Sequence, residues 1–271
     1  MLYFSIVVTG WIIFFTALIS LYNNKFEFLT WIFTTIILLL FTPYLWLSQQ
    51  SIIQSVLAFV VSFASLYVLY TIIYYNISMT QTTIFITVSS GLLLFSYTIP
   101  TVQNLLIYNV TSETQYILEL IGFNTDISES KNGMYIIFTN YDLQTEIVMA
   151  CTGIGSISLF AGFISAIDSL ELYIKLILII ISSMLIYLLN AVRNVFIAGA
   201  YGGQWFHIQP GLIESIFGRG DEWVSFYVAD KIIAQFGAVI VMIIFSLGII
   251  SIIDNDTKFI KEWEQVYKKL F

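Results

Sequence analysis

Residues 176–200 read Leu176-Ile-Leu-Ile-Ile-Ile-Ser-Ser-Met-Leu-Ile-Tyr-Leu-Leu-Asn190-Ala-Val-Arg193-Asn194-Val-Phe-Ile-Ala-Gly-Ala200. Apart from Arg193, this run holds no charged residue. A helix that crosses a bilayer needs about 20 consecutive, mostly apolar residues, and the run is long enough. Asp168, Glu171 and Lys175 mark the turn before it, and a polar, Gly-rich loop over 201–222 follows it. Within the run, Asn190, Arg193 and Asn194 stand at i, i+3 and i+4, so they share one face of the helix. A charge inside a membrane costs about 2.5–3.5 kcal/mol on insertion scales and usually faces a protein interior or a wet cavity. The stripe therefore points to an inward-facing polar site, with a snorkelling arginine as the plainer alternative.

Six further stretches have the same character. They cover about 2–21, 28–47, 52–75, 84–100, 150–167 and 224–252, with polar breaks between them. The first begins Met-Leu-Tyr-Phe with no basic residue, so it reads as a retained helix rather than a signal peptide. The expected fold is an all-α integral membrane protein, a polytopic helical bundle of about seven spans, or eight if residues 101–121 enter the membrane. It forms a single membrane domain over 1–271. Residues 101–148 carry six acids against one base, Lys131, and read as an extramembrane acidic loop. That loop has room for a short amphipathic helix near 103–121 and a strand pair around Met134–Thr139, which is rich in β-formers. The tail 254–271 reads as an amphipathic helix with Trp263, Val266, Tyr267 and Leu270 on one side.

Composition agrees. Of 271 residues, 59% are hydrophobic and only 10% are charged, against roughly 25% charged in soluble domains; the mean hydropathy is +0.90. A net charge of −7 argues against a nucleic-acid partner, since phosphate binding needs clustered Lys and Arg. Short cytoplasmic loops carry the excess of Lys and Arg. A cytoplasmic C-terminus puts Lys25, Lys175, Lys258, Lys261, Lys268 and Lys269 inside and only Lys131 and Arg219 outside. The 101–148 loop is then extracytoplasmic and the 254–271 tail cytoplasmic.

Under that topology Cys151, Arg193 and Lys231 gather near the outer ends of three spans. The single cysteine, Cys151, forms no intramolecular disulfide, and taken alone it reads as a small buried hydrophobe. Beside cations it becomes a nucleophile, because a nearby Arg or Lys stabilises the thiolate. An arginine can also hold the oxyanion formed when a thiolate attacks a carbonyl. A second basic group, Lys231, with His207 and Arg219 as alternatives, could pass a proton to the leaving amine. The constellation suits acyl transfer through a thioester. There is no HExxH, cysteine cluster, Gly-x-Ser-x-Gly or Walker loop, so neither a metal nor a cofactor is expected.

At these same residues the chain resembles the archaeosortase/exosortase family. The resemblance rests on Ala150-Cys151-Thr-Gly-Ile154, Leu189-Asn190-Ala-Val-Arg193-Asn194 and Val228-Ala-Asp230-Lys231-Ile-Ile, and extends over roughly 90–252. It implies a multi-pass cell-membrane cysteine transpeptidase with its active site on the extracytoplasmic face. Its partners would be exported proteins ending in a short motif, a transmembrane helix and a basic tail, which the enzyme cleaves. The new C-terminus would go to a membrane lipid, with water as the other acceptor. The resemblance implies Cys151 as nucleophile and Arg193 as the oxyanion or thiolate stabiliser. The family's third basic residue is Arg or His, and Lys231 is the best match to it. The rival reading is a polytopic transporter or assembly scaffold in which Cys151 only packs.

Overall fold

The structure is a computed structural model, and it describes every residue except 1, 24–25, 48–51, 76, 141–142, 207–210, 212–221, 253–257 and 269–271. It is mostly helical. Helices α1 (Leu2–Tyr22), α2 (Glu27–Leu47), α3 (Ile52–Tyr75), α4 (Thr80–Thr98) and α5 (Pro100–Leu120) lead into strands β1 (Thr125–Glu129), β2 (Gly133–Phe138) and β3 (Leu143–Val148). A 3-10 turn, Met149–Thr152, precedes α6 (Ile154–Ser165) and α7 (Leu172–Gly202). Then come α8 (Glu222–Tyr227), a π-helical segment Val228–Ala234, α9 (Gln235–Ile252) and α10 (Lys258–Lys268). Among the described residues, three helical stretches are long and apolar enough to cross a membrane: Ser55–Tyr75, Leu172–Gly202 and Glu222–Ile249. Helix α6 has 12 residues and starts at Ile154, so it is short for a span, and Cys151 stands on the turn ahead of it.

The chain divides into two compact units. The first comprises Met1–Thr98, Ser156–Ser183 and Phe245–Phe271. Its hydroxyl-bearing helices pack at close range, with Thr35 Oγ1 and Ser65 Oγ 2.8 Å apart between α2 and α3. Interfaces of this kind suit helices that lack a hydrophobic driving force between them. The distinctive feature is at the start of α4, where orphan backbone N–H groups need acceptors. Two buried carboxylates supply them. Glu27 Oε1 accepts from Met79 N–H at 2.6 Å, and Glu262 of α10 accepts from the N–H groups of Gln81 at 2.9 Å and Thr82 at 3.2 Å. A carboxylate there also meets the positive end of the helix dipole. Val266, one turn further along α10, is buried with Trp31, Val68 and Met79. The amphipathic tail is thus docked by an apolar face and a capping glutamate.

The second unit, Ile99–Gly155 and Met184–Ile244, holds the sheet. Its strands lie in the order β1-β2-β3, all antiparallel. Period-2 alternation buries Leu143, Thr145 and Ile147 on one face of β3 and leaves Gln144 exposed. Ile136, Phe138, Leu143 and Ile147 form a core with Val110 and Leu118 of α5 and Ala198 of α7. Gly202 lies against Phe138, and an added Cβ would meet the ring at 2.3–2.6 Å. Tyr187 Oη donates to Glu113 Oε2 at 2.7 Å, tying α7 to α5.

Burial raises the Glu262 carboxyl above the usual range, against the pull of its bonds to Gln81 and Thr82, and Asp168 nearby adds to the rise. A raised folded-state pKa contributes stability that is present below the ordinary carboxylate pKa and is lost as pH rises through the folded value. The expected outcome is a docked tail more stable in mild acid than above neutrality, with that pH dependence reduced in Glu262→Gln. Glu262→Ala leaves the buried Thr82 N–H and the partly buried Gln81 N–H unpaired and costs about 1–3 kcal/mol. Thermal unfolding in detergent across pH checks both.

A cysteine, two amides and an ion-pair hub

Beginning with the thiol, Cys151 sits on the Met149–Thr152 turn between β3 and α6. Gly153 ends that turn at φ +76°, a left-handed conformation that favours glycine. A Cβ there would also meet the Asn190 side chain at 3.1–3.3 Å. That close approach lets two side-chain amides of α7 reach the same backbone oxygen. Asn190 Nδ2 donates to Cys151 O at 2.6 Å and Asn194 Nδ2 donates to it at 2.8 Å. Asn194 is buried. The turn that carries the sulfur is therefore fixed to α7 by two of the three residues of the polar stripe.

Arg193, the third member of the stripe, turns to the π-helical segment. Its Nη2 lies 2.5 Å from Asp230 Oδ1, and Lys231 Nζ lies 2.9 Å from Asp230 Oδ2. One carboxylate thus joins the two cations, each oxygen serving one of them. Its side chain is 11% exposed, against 27% for Arg193 and 18% for Lys231. The π winding of Val228–Ala234 displaces side chains from α-helical spacing; such segments recur at functional sites.

Thr145, Glu146, Ile147, Cys151, Arg193, Asn194, Ile197, Ala198, Phe226 and Asp230 line one cavity of about 50 Å³. Cys151 and Arg193, picked out from sequence, are brought together there, and Lys231 joins through Asp230. His207 and Arg219, the alternative third bases, lie outside the described residues. Burial pushes the Cys151 thiol up; a bond from Val148 N–H and the charges of Arg193 and Lys231 pull it down, and Asp230 opposes them. Burial outweighs the two cations, and the protonated thiol is favoured. Among the described residues, no three His, Cys, Asp or Glu side chains gather as metal ligands.

Asp230 was not singled out as a site residue from sequence. A signal existed: two cations inside apolar helices need a counter-charge, and Asp230 was the acid beside one of them. The two amides were visible as a stripe, but not their shared target. Removing one partner of a mostly buried ion pair leaves an uncompensated charge. Asp230→Ala is expected to destabilise the second unit by about 3 kcal/mol, more than Lys231→Ala, in thermal unfolding of the detergent-solubilised protein. Loss in the reverse order would show that the carboxylate is not the hub.

Comparison with known proteins places this chain in a family. The family described as transmembrane exosortase matches residues 3–249. Archaeosortase A of Haloferax volcanii is 34% identical over 155 residues, which cover 55% of this chain and 51% of that protein. Archaeosortase A of Natronomonas pharaonis is 44% identical over 101 residues, covering 36% of this chain and 32% of that protein. The matched region spans about half the length of the first relative and about a third of the second. No solved structure matches the chain. With a match over nearly its whole length, this chain is a membrane protein that belongs to the transmembrane exosortase family.

Proposed function

We propose that the protein is a cysteine transpeptidase that cuts a C-terminal sorting signal from exported proteins through a thioester. The observation that carries this reading is a cavity that holds both the chain's one cysteine and the Arg193–Asp230 pair. A thiol, a fixed guanidinium and an ammonium one carboxylate away are the parts that acyl transfer needs. The family membership and the two archaeosortase A relatives support the same chemistry.

The cycle balances with these residues, solvent and the acyl acceptor. The thiol loses its proton to solvent, and Arg193 and Lys231 stabilise the thiolate. Sulfur attacks the carbonyl carbon of the scissile peptide bond, and Arg193 holds the resulting oxyanion. The C–N bond breaks, Lys231 gives its proton to the departing amine, and a thioester remains on Cys151. A hydroxyl or amine of a membrane lipid then attacks the thioester and hands its proton to Lys231. The sulfur leaves as thiolate, which restores the starting charges. Water in place of lipid gives hydrolysis. The two asparagine amides hold the Cys151 backbone throughout, so that the sulfur does not drift from the attacking position.

The proposal includes a multi-pass arrangement of about seven or eight spans, a cytoplasmic tail and an active site at the outer face. A substrate whose own helix lies in the bilayer must be cut at the lipid interface, which is where a nucleophile between an extramembrane sheet and an apolar helix would stand.

The test follows an exported protein with a C-terminal helix in cells lacking this chain, complemented with wild type or variants of equal abundance on a blot. Cys151→Ala is expected to abolish the size shift. Arg193→Lys keeps charge without the planar fork and is expected to lower processing by at least about 10²-fold, the scale of losing an oxyanion donor. Normal processing by Cys151→Ala would sink the mechanism and favour a transporter or scaffold.

A further inference from the structure

The cavity is lined by three consecutive residues of β3, Thr145, Glu146 and Ile147. Successive side chains on a strand point to opposite faces. A cavity that meets all three therefore runs along the strand's edge, not against one face. Strand β3 is the outer strand of the sheet, with β2 on one side and no further strand on the other among the described residues.

The ladder tells which main-chain groups lie on that open edge. Ser130 N–H donates to Gly133 O at 3.0 Å and Thr139 N–H donates to Asn124 O at 3.1 Å. These bonds bracket the β1–β2 pairing and fix its parity. Gly133, Tyr135 and Ile137 turn their main-chain groups toward β1, and Met134, Ile136 and Phe138 turn theirs toward β3. The last three lie opposite Ile147, Thr145 and Leu143, which are consequently the residues of β3 bonded to the sheet. The N–H and C=O groups of Gln144, Glu146 and Val148 point outward. An independent contact agrees: Val148 N–H reaches the Cys151 thiol. The sulfur thus sits off the open edge of β3, where one more strand would lie.

We propose that the extended segment of the substrate just before the scissile bond adds to the edge of β3 as a fourth strand, bonding to the outward main chain of Gln144 and Glu146. This rests on the transpeptidase reading above. Main-chain bonds would supply affinity with little demand on sequence, and the cavity would read side chains next to the cut. The direction follows as well. The residues after the cut belong to the substrate's helix, so the extended residues lie before it. Strand β3 leads away from Cys151 toward its own N-terminus. The added strand therefore runs parallel to β3, its C-terminal end at the sulfur.

The test uses full-length protein in cells and a reporter consisting of a secreted domain, an extended segment, an apolar helix and a basic tail. Proline is tolerated on an edge where the N–H faces outward, yet it removes the donor. Gln144 is exposed, and Gln144→Ala, which keeps the main-chain N–H, is the reference against which the proline variant is read. Gln144→Pro, at equal abundance, is expected to fall at least about tenfold, the equivalent of one or two lost hydrogen bonds. A second measurement does not depend on Gln144→Pro accumulating. In a Cys151→Ala background, Gln144→Cys and Glu146→Cys are each oxidised against single cysteines placed along the reporter. Cross-links are expected at alternate reporter residues, farther before the cut for position 144 than for 146. Cross-linking without alternation, or in the opposite order, or none at all, overturns the proposal, as does Gln144→Pro processing like Gln144→Ala. Processing by Cys151→Ala alone would instead defeat the transpeptidase reading.

Discussion

Asp230 sits between two cations, and much of the second unit is organised by that charge balance. Arg193 and Lys231 belong to otherwise apolar helices, where an isolated charge is expensive. A carboxylate that gives one oxygen to each cation offsets that cost and leaves the group with a net charge of about +1. Arg193 lines the same cavity as the cysteine, and the charges of Arg193 and Lys231 pull the thiol down against its burial. The π-helical segment carries both Asp230 and its neighbour Lys231, whose side chains pair with each other while Asp230 also meets Arg193.

The sulfur is held by a different device. Cys151 is on a short turn, and turns are the mobile parts of most folds. Two amides on one carbonyl oxygen, and a left-handed glycine that lets them approach, remove that mobility. Helix α7 therefore does two jobs with one stripe: its asparagines fix the main chain of Cys151 and its arginine pairs with Asp230. The sheet is anchored to the same helix through Ala198 and to α5 through Val110 and Leu118. That places the edge of β3 at the cavity as part of the packed unit and not as a loose loop.

In the first unit, the carboxylates of Glu27 and Glu262 cap the start of α4 from two distant parts of the chain. The C-terminal helix is thereby part of the fold. Its amphipathic pattern alone would also have suited a helix lying on the membrane surface; the buried glutamate and Val266 are what distinguish docking.

The linear sequence determined what each segment could tolerate as surroundings. Apolar runs without charge specify membrane helices by a local property, the transfer energy of roughly 20 residues. Cys151, Arg193 and Lys231 stood out for the same reason, as polar or reactive groups in apolar context. The β-character of Met134–Thr139 was legible from its residue types. The full three-stranded sheet was not, since pairing depends on partners further along the chain. Only the tertiary structure decided that Asn190 and Asn194, some forty residues beyond Cys151, share its carbonyl, that Asp230 balances Arg193, and that β3 presents its open edge to the thiol. Each is a contact between groups far apart in sequence. Local propensity and hydropathy carry no term for such a contact, and its energy exists only after the helices and strands have packed.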